Sequence, residues 1–465
     1  MTQAPVQILV VGGGYVGMYA ALRLQRKLRL KQGEATITVV DPQSYMTYQP
    51  FLAECAAGSL EPRHVVIPLR RVLKHCRVIT GVVEKMDPAA KIATITPFEG
   101  PSYDVPYDHV IIAPGSIAKI LPIPGLAEVG IGFKTAAEAV YLRNYVLSRM
   151  DAAASSIDPE QRRRALTFVF IGGGYAGVEV YAELQDMAHD AMRYYPSIAA
   201  SDMRWVLVEA APRILNEVSE SLAHYTENEL RKRGMELHLG TTLERIDGMH
   251  VVLGDGTEMD AETVCWTAGV KPEPVLEHFG IPLDDKKRLP CDTFLQVTGF
   301  DHVWSAGDCS AVPDLTQPGK MCAPTAQHAV RQANHLADNL VRRIRGKDLK
   351  EYKHIFAGSV ASLGLHKGVA EIYGIKMRGL LAWLMHRTYH LSRVPTLNRK
   401  VRVASDWTLA LFFSRDFVSL SQFADPKATF RAAADHGDVG RALEGAGPPG
   451  AVRERSADGT PARSS

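Results

Sequence analysis

Short, uninterrupted apolar runs alternate with segments of helical periodicity along the first two thirds of the chain. Ile8-Leu-Val-Val runs into Gly12-Gly-Gly-Tyr-Val-Gly17, and Phe168-Val-Phe-Ile runs into Gly172-Gly-Gly-Tyr-Ala-Gly177. A wholly apolar run suits a strand buried on both faces of a parallel sheet, and a glycine turn after it suits the strand-to-helix corner of a nucleotide-binding unit. The first unit continues as a predicted helix over 16–30 and a strand over 36–40, the second as a helix over 177–192 and a strand over 204–208. Two further matched runs, 107–115 and 263–269, close on small residues. Ala113, Gly115 and Gly269 are therefore candidates for backbone that approaches a dinucleotide. The internal repeat predicts an α/β fold with two Rossmann-like dinucleotide-binding domains. A short strand from Val303 closes on Gly307-Asp308, and a helix follows over 325–343. The expected division is a discontinuous first domain (1–125 with 288–350), a second domain (126–287), a C-terminal amphipathic helical region (351–423) and a disordered tail (424–465).

Composition removes partners rather than adding them. Lys plus Arg (53) nearly equal Asp plus Glu (51), so no overall basic field is present to attract nucleic acid, and any membrane attraction must be local. Residues 1–5 carry no cationic head before an apolar stretch, which predicts no export signal. No eighteen apolar residues run together, which predicts no membrane-spanning helix. The six cysteines, Cys55, Cys76, Cys265, Cys291, Cys309 and Cys322, form no CxxC or other close pair. They are expected to be reduced, mostly buried small side chains.

The first glycine motif places Gly12 at the tight turn, Gly14 where backbone can approach a pyrophosphate, and Gly17 where helix and strand pack closely. Asp41, ending the next strand, can accept hydrogen bonds from an adenosine ribose. Gly172, Gly174 and Gly177 repeat the pattern with Glu209 as the acid. A carboxylate there favours a free 2′-hydroxyl, hence NADH, although Arg213 close behind keeps NADPH as an alternative. Two dinucleotide sites without a metal-ligand cluster suggest a tightly held flavin and a diffusing nicotinamide. Asp308 can reach the flavin's ribityl and phosphate region or serve as an ordinary turn residue. Glu179, in the first turn of the second nucleotide helix, can face nicotinamide and flavin or simply complement the helix dipole. Tyr175 can act as a lid in the nicotinamide pocket or pack the turn. His386 and His390 have i, i+4 spacing but no evident third ligand, so they are read as a polar helix face and no metal is expected.

These motifs resemble the two-dinucleotide-binding flavoproteins, and within them the type II NADH dehydrogenases, over about residues 6–415. The resemblance implies FAD on Gly12, Gly14, Gly17 and Asp41, with Gly307-Asp308 beside the flavin. It also implies NADH on the Gly172 motif with Glu209 at the ribose and Glu179 by the nicotinamide. Quinone reduction without proton pumping is the implied activity, at a signature similar to Ala326-Gln-His-Ala-Val-Arg-Gln332. There Gln327 matches, and Arg331 replaces a glutamine expected to line the quinone tunnel. Tyr175 looks more like the gating tyrosine of disulfide reductases, but those need a cysteine pair where this chain has only Cys55.

The family's carboxyl-terminal anchors are similar to Lys376–Arg415, where eight Lys and Arg face one acid, Asp406, among Trp383, Trp407 and leucines. Basic helices with interfacial tryptophans suit an anionic lipid surface, although a dimer interface would use the same residues. Glu179, Gln327 and Tyr175 are thus the candidate catalytic residues of an FAD-dependent NADH:quinone oxidoreductase on the cytoplasmic face of the cell membrane. The alternatives are a non-quinone acceptor, a soluble cytoplasmic enzyme, or a non-enzymatic redox-sensing module.

Overall fold

The structure, a computed structural model, describes residues 4–28, 30, 33–354, 358–413 and 415–419. The tail expected from 424 lies outside the described residues. A seven-stranded sheet runs in the order Val303–Ser305, His109–Ile112, Val6–Val11, Ala35–Asp41, Arg77–Asp87, Ile92–Pro97, Tyr103–Pro106. Its first five strands pair in parallel, and the last two fold back as an antiparallel meander. A second, five-stranded sheet is parallel throughout, in the order Gly130–Gly132, Thr263–Trp266, Thr167–Ile171, Arg204–Glu209, Glu236–Leu239. Thr167–Ile171 is buried at every position, as a parallel strand covered on both faces must be.

Helices α1 (Tyr15–Lys27), α2 (Leu52–Ala56), α3 (Tyr175–Ala191), α4 (Ala326–Ile344), α5 (Gly379–Arg393) and α6 (Leu397–Leu409) position the site. In α1, Met18, Ala21, Leu22 and Leu24 are buried. Its polar side meets α4, where Arg23 lies 2.6 Å from Asp338. The helix expected over 16–30 stops at Lys27, because Leu28 turns to extended backbone and buries its side chain in the core. Thr325 caps α4 and Thr396 caps α6, each side chain accepting a backbone N–H of the first turn.

The C-terminal region differs from the expected all-helical surface. An antiparallel sheet of Gly358–Ser362, Gly368–Ile372 and Ile375–Arg378 comes first and lies against α3 and α5. The tryptophans do not project into solvent. Trp383 is buried, and Trp407 turns inward to donate its indole N–H to Glu54 at 2.7 Å. The exposed apolar side chains are instead Leu380, Leu381 and Leu384 on α5 and Leu397, Val401 and Leu409 on α6, followed by Leu411, Phe412 and Phe413. No helix among the described residues is long and apolar enough to cross a membrane. All six cysteines are free, and all but the half-buried Cys76 are buried.

Candidate functional site

The two glycine corners are built alike. At Gly12 φ is +95° and at Gly172 +115°, values that disfavour any side chain. A Cβ on Gly12 would stand 2.2 Å from the Ala113 carbonyl oxygen, and one on Gly17 would stand 1.8 Å from that of Gly12. Gly14, Gly115, Gly174 and Gly269 face the other way: a Cβ on any of them would meet nothing within 4 Å. Close packing below and open space above make two cradles, each at the amino terminus of a helix whose free N–H groups favour an anion.

An acid closes each cradle. Asp41 accepts the N–H groups of Gly13 and Gln43, both at 2.6 Å, and Glu209 accepts those of Gly173 at 2.5 Å and Ala211 at 2.8 Å. Burial raises the Asp41 carboxyl above its usual range, and its two backbone donors pull against that. These bonds hold both carboxylates at strand ends with lone pairs to spare. The first cradle, its acid and the partnerless buried hydroxyl of Tyr15 fit a flavin dinucleotide.

A cavity of about 1530 Å³ lies between the two sheets and the C-terminal helices. It gathers Tyr175, Glu179, Gly269, Asp308 and Gln327, which the sequence singled out separately. Asp41 and Glu209 are not on its wall; each belongs to the outer end of its own cradle. Asp308 accepts the Ser116 hydroxyl at 2.6 Å, and Lys134 Nζ donates to the same hydroxyl at 2.8 Å. Burial lowers the Lys134 ammonium, opposed by Asp308, Glu138 and Glu273. The Tyr175 hydroxyl is raised, chiefly by burial, so it stays protonated through the physiological range.

Sequence reasoning missed the groups behind Glu179. Its Oε1 accepts the Ser362 N–H at 2.9 Å and lies 3.2 Å from His386 Nε2. His386 is only 1% exposed, so the polar-face reading of the two histidines is wrong: α5 turns them into the protein. Burial pulls the His386 imidazolium down, but Glu179, then Glu54 and Glu183, outweigh it and leave it raised. His390 stacks edge-on 4.6 Å away and lines the cavity, with its Nδ1 3.3 Å from the Tyr48 hydroxyl. Burial and then the charge on His386 drive His390 well down, so the two neighbouring rings shift in opposite directions. Glu54 accepts from Arg387 at 2.9 Å, and that guanidinium stacks on Trp383 and Trp407, 3.9 and 4.8 Å from the ring centroids. The histidine spacing was visible in the sequence, but apolar residues all round α5 hid which side faces the core. Cys55, whose thiol burial pushes up to about 12, carries no reactive thiolate. Among the described residues no three His, Cys, Asp or Glu converge as metal ligands.

The family model of the pyridine nucleotide-disulphide oxidoreductases matches residues 6–333, and that of the NDH2 C-terminal domain matches 356–416. The chain is 28% identical over 424 residues to the type II NADH:quinone oxidoreductase Ndh of Mycobacterium tuberculosis, covering 88% of this chain and 89% of that one. It is 28% identical over 394 residues to the type II NADH:quinone oxidoreductase of Staphylococcus aureus, covering 83% and 94%. Among solved structures, NDH2 from Plasmodium falciparum in complex with NADH shares the fold, with a TM-score of 0.82 at 17% identity over 89% of this chain and 99% of that one. The matched models span both glycine cradles and the C-terminal helices that carry His386 and His390. The chain therefore belongs to the pyridine nucleotide-disulphide oxidoreductase family and, through its NDH2 C-terminal domain, to the type II NADH dehydrogenases within it.

Proposed function

We infer that this protein is an NADH:quinone oxidoreductase that takes hydride from NADH onto a bound FAD and delivers the electrons to a quinone at a membrane surface. The observation that carries this reading is the single cavity reached by residues of both cradles and by the C-terminal helices. The flavin, once bound, supplies the redox chemistry by accepting two electrons as hydride and giving them up to the acceptor.

The protein's own groups bind, orient and hold protons. Asp41 receives the adenosine ribose of FAD, while the α1 amino terminus and the open faces of Gly14 and Gly115 take the pyrophosphate. The domain carrying FAD is formed by 1–125 and 288–350, in keeping with the pairing of Val303–Ser305 onto His109–Ile112. Asp308, held through Ser116, orients the flavin's ribityl side. In the second domain, 126–287, Glu209 receives the NADH ribose. The nearby Arg213 donates to the side chain and carbonyl of Asn216, which ties it to its own loop and favours NADH over NADPH.

Glu179 faces the nicotinamide pocket in front and lies 3.2 Å from the buried His386 behind, so the ring's charge, when protonated, steadies the carboxylate away from water. Tyr175 covers the same pocket as a neutral phenol, and Gln327 guides the acceptor from α4. Membrane docking uses the exposed leucines and phenylalanines of α5, α6 and 411–413, with Lys376, Arg378 and Lys400 toward anionic headgroups on the cytoplasmic face. Flotation with anionic vesicles separates this use of the surface from contact between two copies of the chain.

Acceptor profiling tests the reading. NADH oxidation is followed with ubiquinone and menaquinone analogues, ferricyanide, dioxygen and a small redox protein. Quinone turnover at least about a hundredfold faster than with dioxygen supports it. Fast turnover with only a redox protein would replace the quinone assignment, and no turnover with any acceptor would leave the nucleotide-sensing alternative standing.

A further inference from the structure

Gln327 and Arg331 lie one turn apart on α4, and both line the cavity. The Gln327 amide is engaged at both ends: its Nε2 donates to the Gly358 carbonyl at 2.7 Å, and its Oε1 accepts from Arg331 Nη1 at 3.0 Å. One of the guanidinium's five N–H donors is thereby fixed. Arg331 is half-buried, and no carboxylate among the described residues lies within ion-pair distance of it. Asp314, the acid on the same wall, is occupied in its own turn by Thr316 N–H at 2.8 Å and the Thr316 hydroxyl at 2.6 Å. The neighbouring imidazoles bring no negative charge. His328 shares its Nδ1 with the Tyr352 hydroxyl at 3.0 Å, and His354 stands edge-on to it at 5.2 Å with a buried Nε2 that has no partner. Burial lowers both imidazoles; at His328 Asp314 opposes it and Arg331 adds to it, and at His354 Arg331 is the next cause after burial.

A permanent, partly desolvated cation with free donors, facing a cavity, is an oxygen receptor, and the missing countercharge is what its ligand can bring. We propose that Arg331, positioned by Gln327, receives the head-group oxygen of the electron acceptor and makes this end of the cavity selective for rings that carry an ionised hydroxyl, the hydroxyquinones. This deepens the quinone-reductase reading and rests on it. Gln327 acts through Arg331 as a positioning residue.

The test uses the FAD-loaded protein without NADH, so that binding is read apart from turnover. Quenching of protein fluorescence gives dissociation constants for 2-hydroxy-1,4-naphthoquinone, an anion at neutral pH, and for neutral 1,4-naphthoquinone. A charge-assisted hydrogen bond predicts about tenfold to a hundredfold tighter binding of the anion. Arg331→Gln brings that ratio to about one, and Arg331→Lys, which keeps charge but loses the planar fork, retains part of it. Flavin content and the visible spectrum verify that each variant is folded. Equal binding of both ligands by the wild type, or an anion preference that survives Arg331→Gln, overturns the proposal. Turnover of NADH with neutral 1,4-naphthoquinone is measured in parallel: turnover without an anion preference sinks only the role of Arg331, whereas no turnover with any quinone sinks the parent reading and this inference together.

Discussion

Removing the His386 imidazole is the perturbation whose consequences the structure determines most closely. The ring sits 3.2 Å from Glu179, with side-chain exposures of 1% and 12%. At that separation and an effective dielectric near 20, the gross attraction is about 5 kcal/mol, and desolvation returns much of it. Removing one partner of such a buried pair costs about 3–5 kcal/mol, because the other charge stays behind uncompensated. His386→Gln is therefore expected to lower stability by about 3 kcal/mol near pH 6.5. The groups that face His386, namely Glu179, Glu54 and Glu183, raise its folded-state pKa against burial. The imidazolium's contribution is thus complete below the ordinary imidazole value of 6.5 and lost as pH rises through the higher folded value. As pH rises through the raised folded value the wild-type ring itself loses its charge, so the deficit of His386→Gln is smaller at pH 9 than at pH 6.5. Urea denaturation of the wild type, His386→Gln, Glu179→Gln and the double variant at both pH values forms a double-mutant cycle. A coupling of about 2 kcal/mol at pH 6.5 that is smaller at pH 9 is expected. A coupling that is absent at pH 6.5, or equal at the two pH values, would refute the ion-pair account and leave His386 as packing alone.

Asp41→Ala strands the Gly13 and Gln43 N–H groups and removes the ribose acceptor; purified protein should carry less than about a tenth of the wild-type FAD, read from the flavin-to-protein absorbance ratio. Glu209→Gln keeps the shape but loses the charge and leaves one backbone donor facing an amide NH₂. It should raise the KM for NADH about tenfold and narrow the gap to NADPH, and an unchanged NADH/NADPH ratio in steady-state kinetics would contradict the assignment. Glu183 is pushed from 4.5 up to about 7, chiefly by burial, so the native state keeps a proton that the unfolded chain releases, and stability falls as pH rises through that window. Glu183→Gln, which can still accept from Ser362, should remove up to roughly 3 kcal/mol of this pH dependence between pH 5 and 8 in denaturant titrations. Leu380→Ser with Phe412→Ser should release the protein from anionic vesicles in flotation without altering its flavin spectrum.

The parts of the molecule legible in the sequence are those that local chemistry dictates. Gly12 and Gly172 stand at turns whose φ no side chain tolerates well, and Asp41 and Glu209 end the strands that follow, so both cradles could be placed from spacing alone. Strands such as Thr167–Ile171, buried throughout and apolar from Phe168 on, announce themselves. What the sequence hid depends on tertiary direction. Trp383 and Trp407, flanked by basic residues, look interfacial until Arg387 is seen between them and Glu54 beneath. His386 and His390 keep helical spacing whichever way α5 faces, and only its docking on the antiparallel sheet 358–378 brings one of them to Glu179. Arg331 could be recognised as a departure, but its bond to Gln327 and its lack of a countercharge emerge only from the fold.

The most direct measurement of the central claim is the visible spectrum of the purified protein under anaerobic conditions, followed through one equivalent of NADH and then a menaquinone or ubiquinone analogue. A flavin absorbance that bleaches with NADH and returns rapidly with quinone is the expected result. A flavin that bleaches and does not recover would contradict the quinone assignment, and a protein without flavin absorbance that gains none on incubation with FAD would contradict the account at its root.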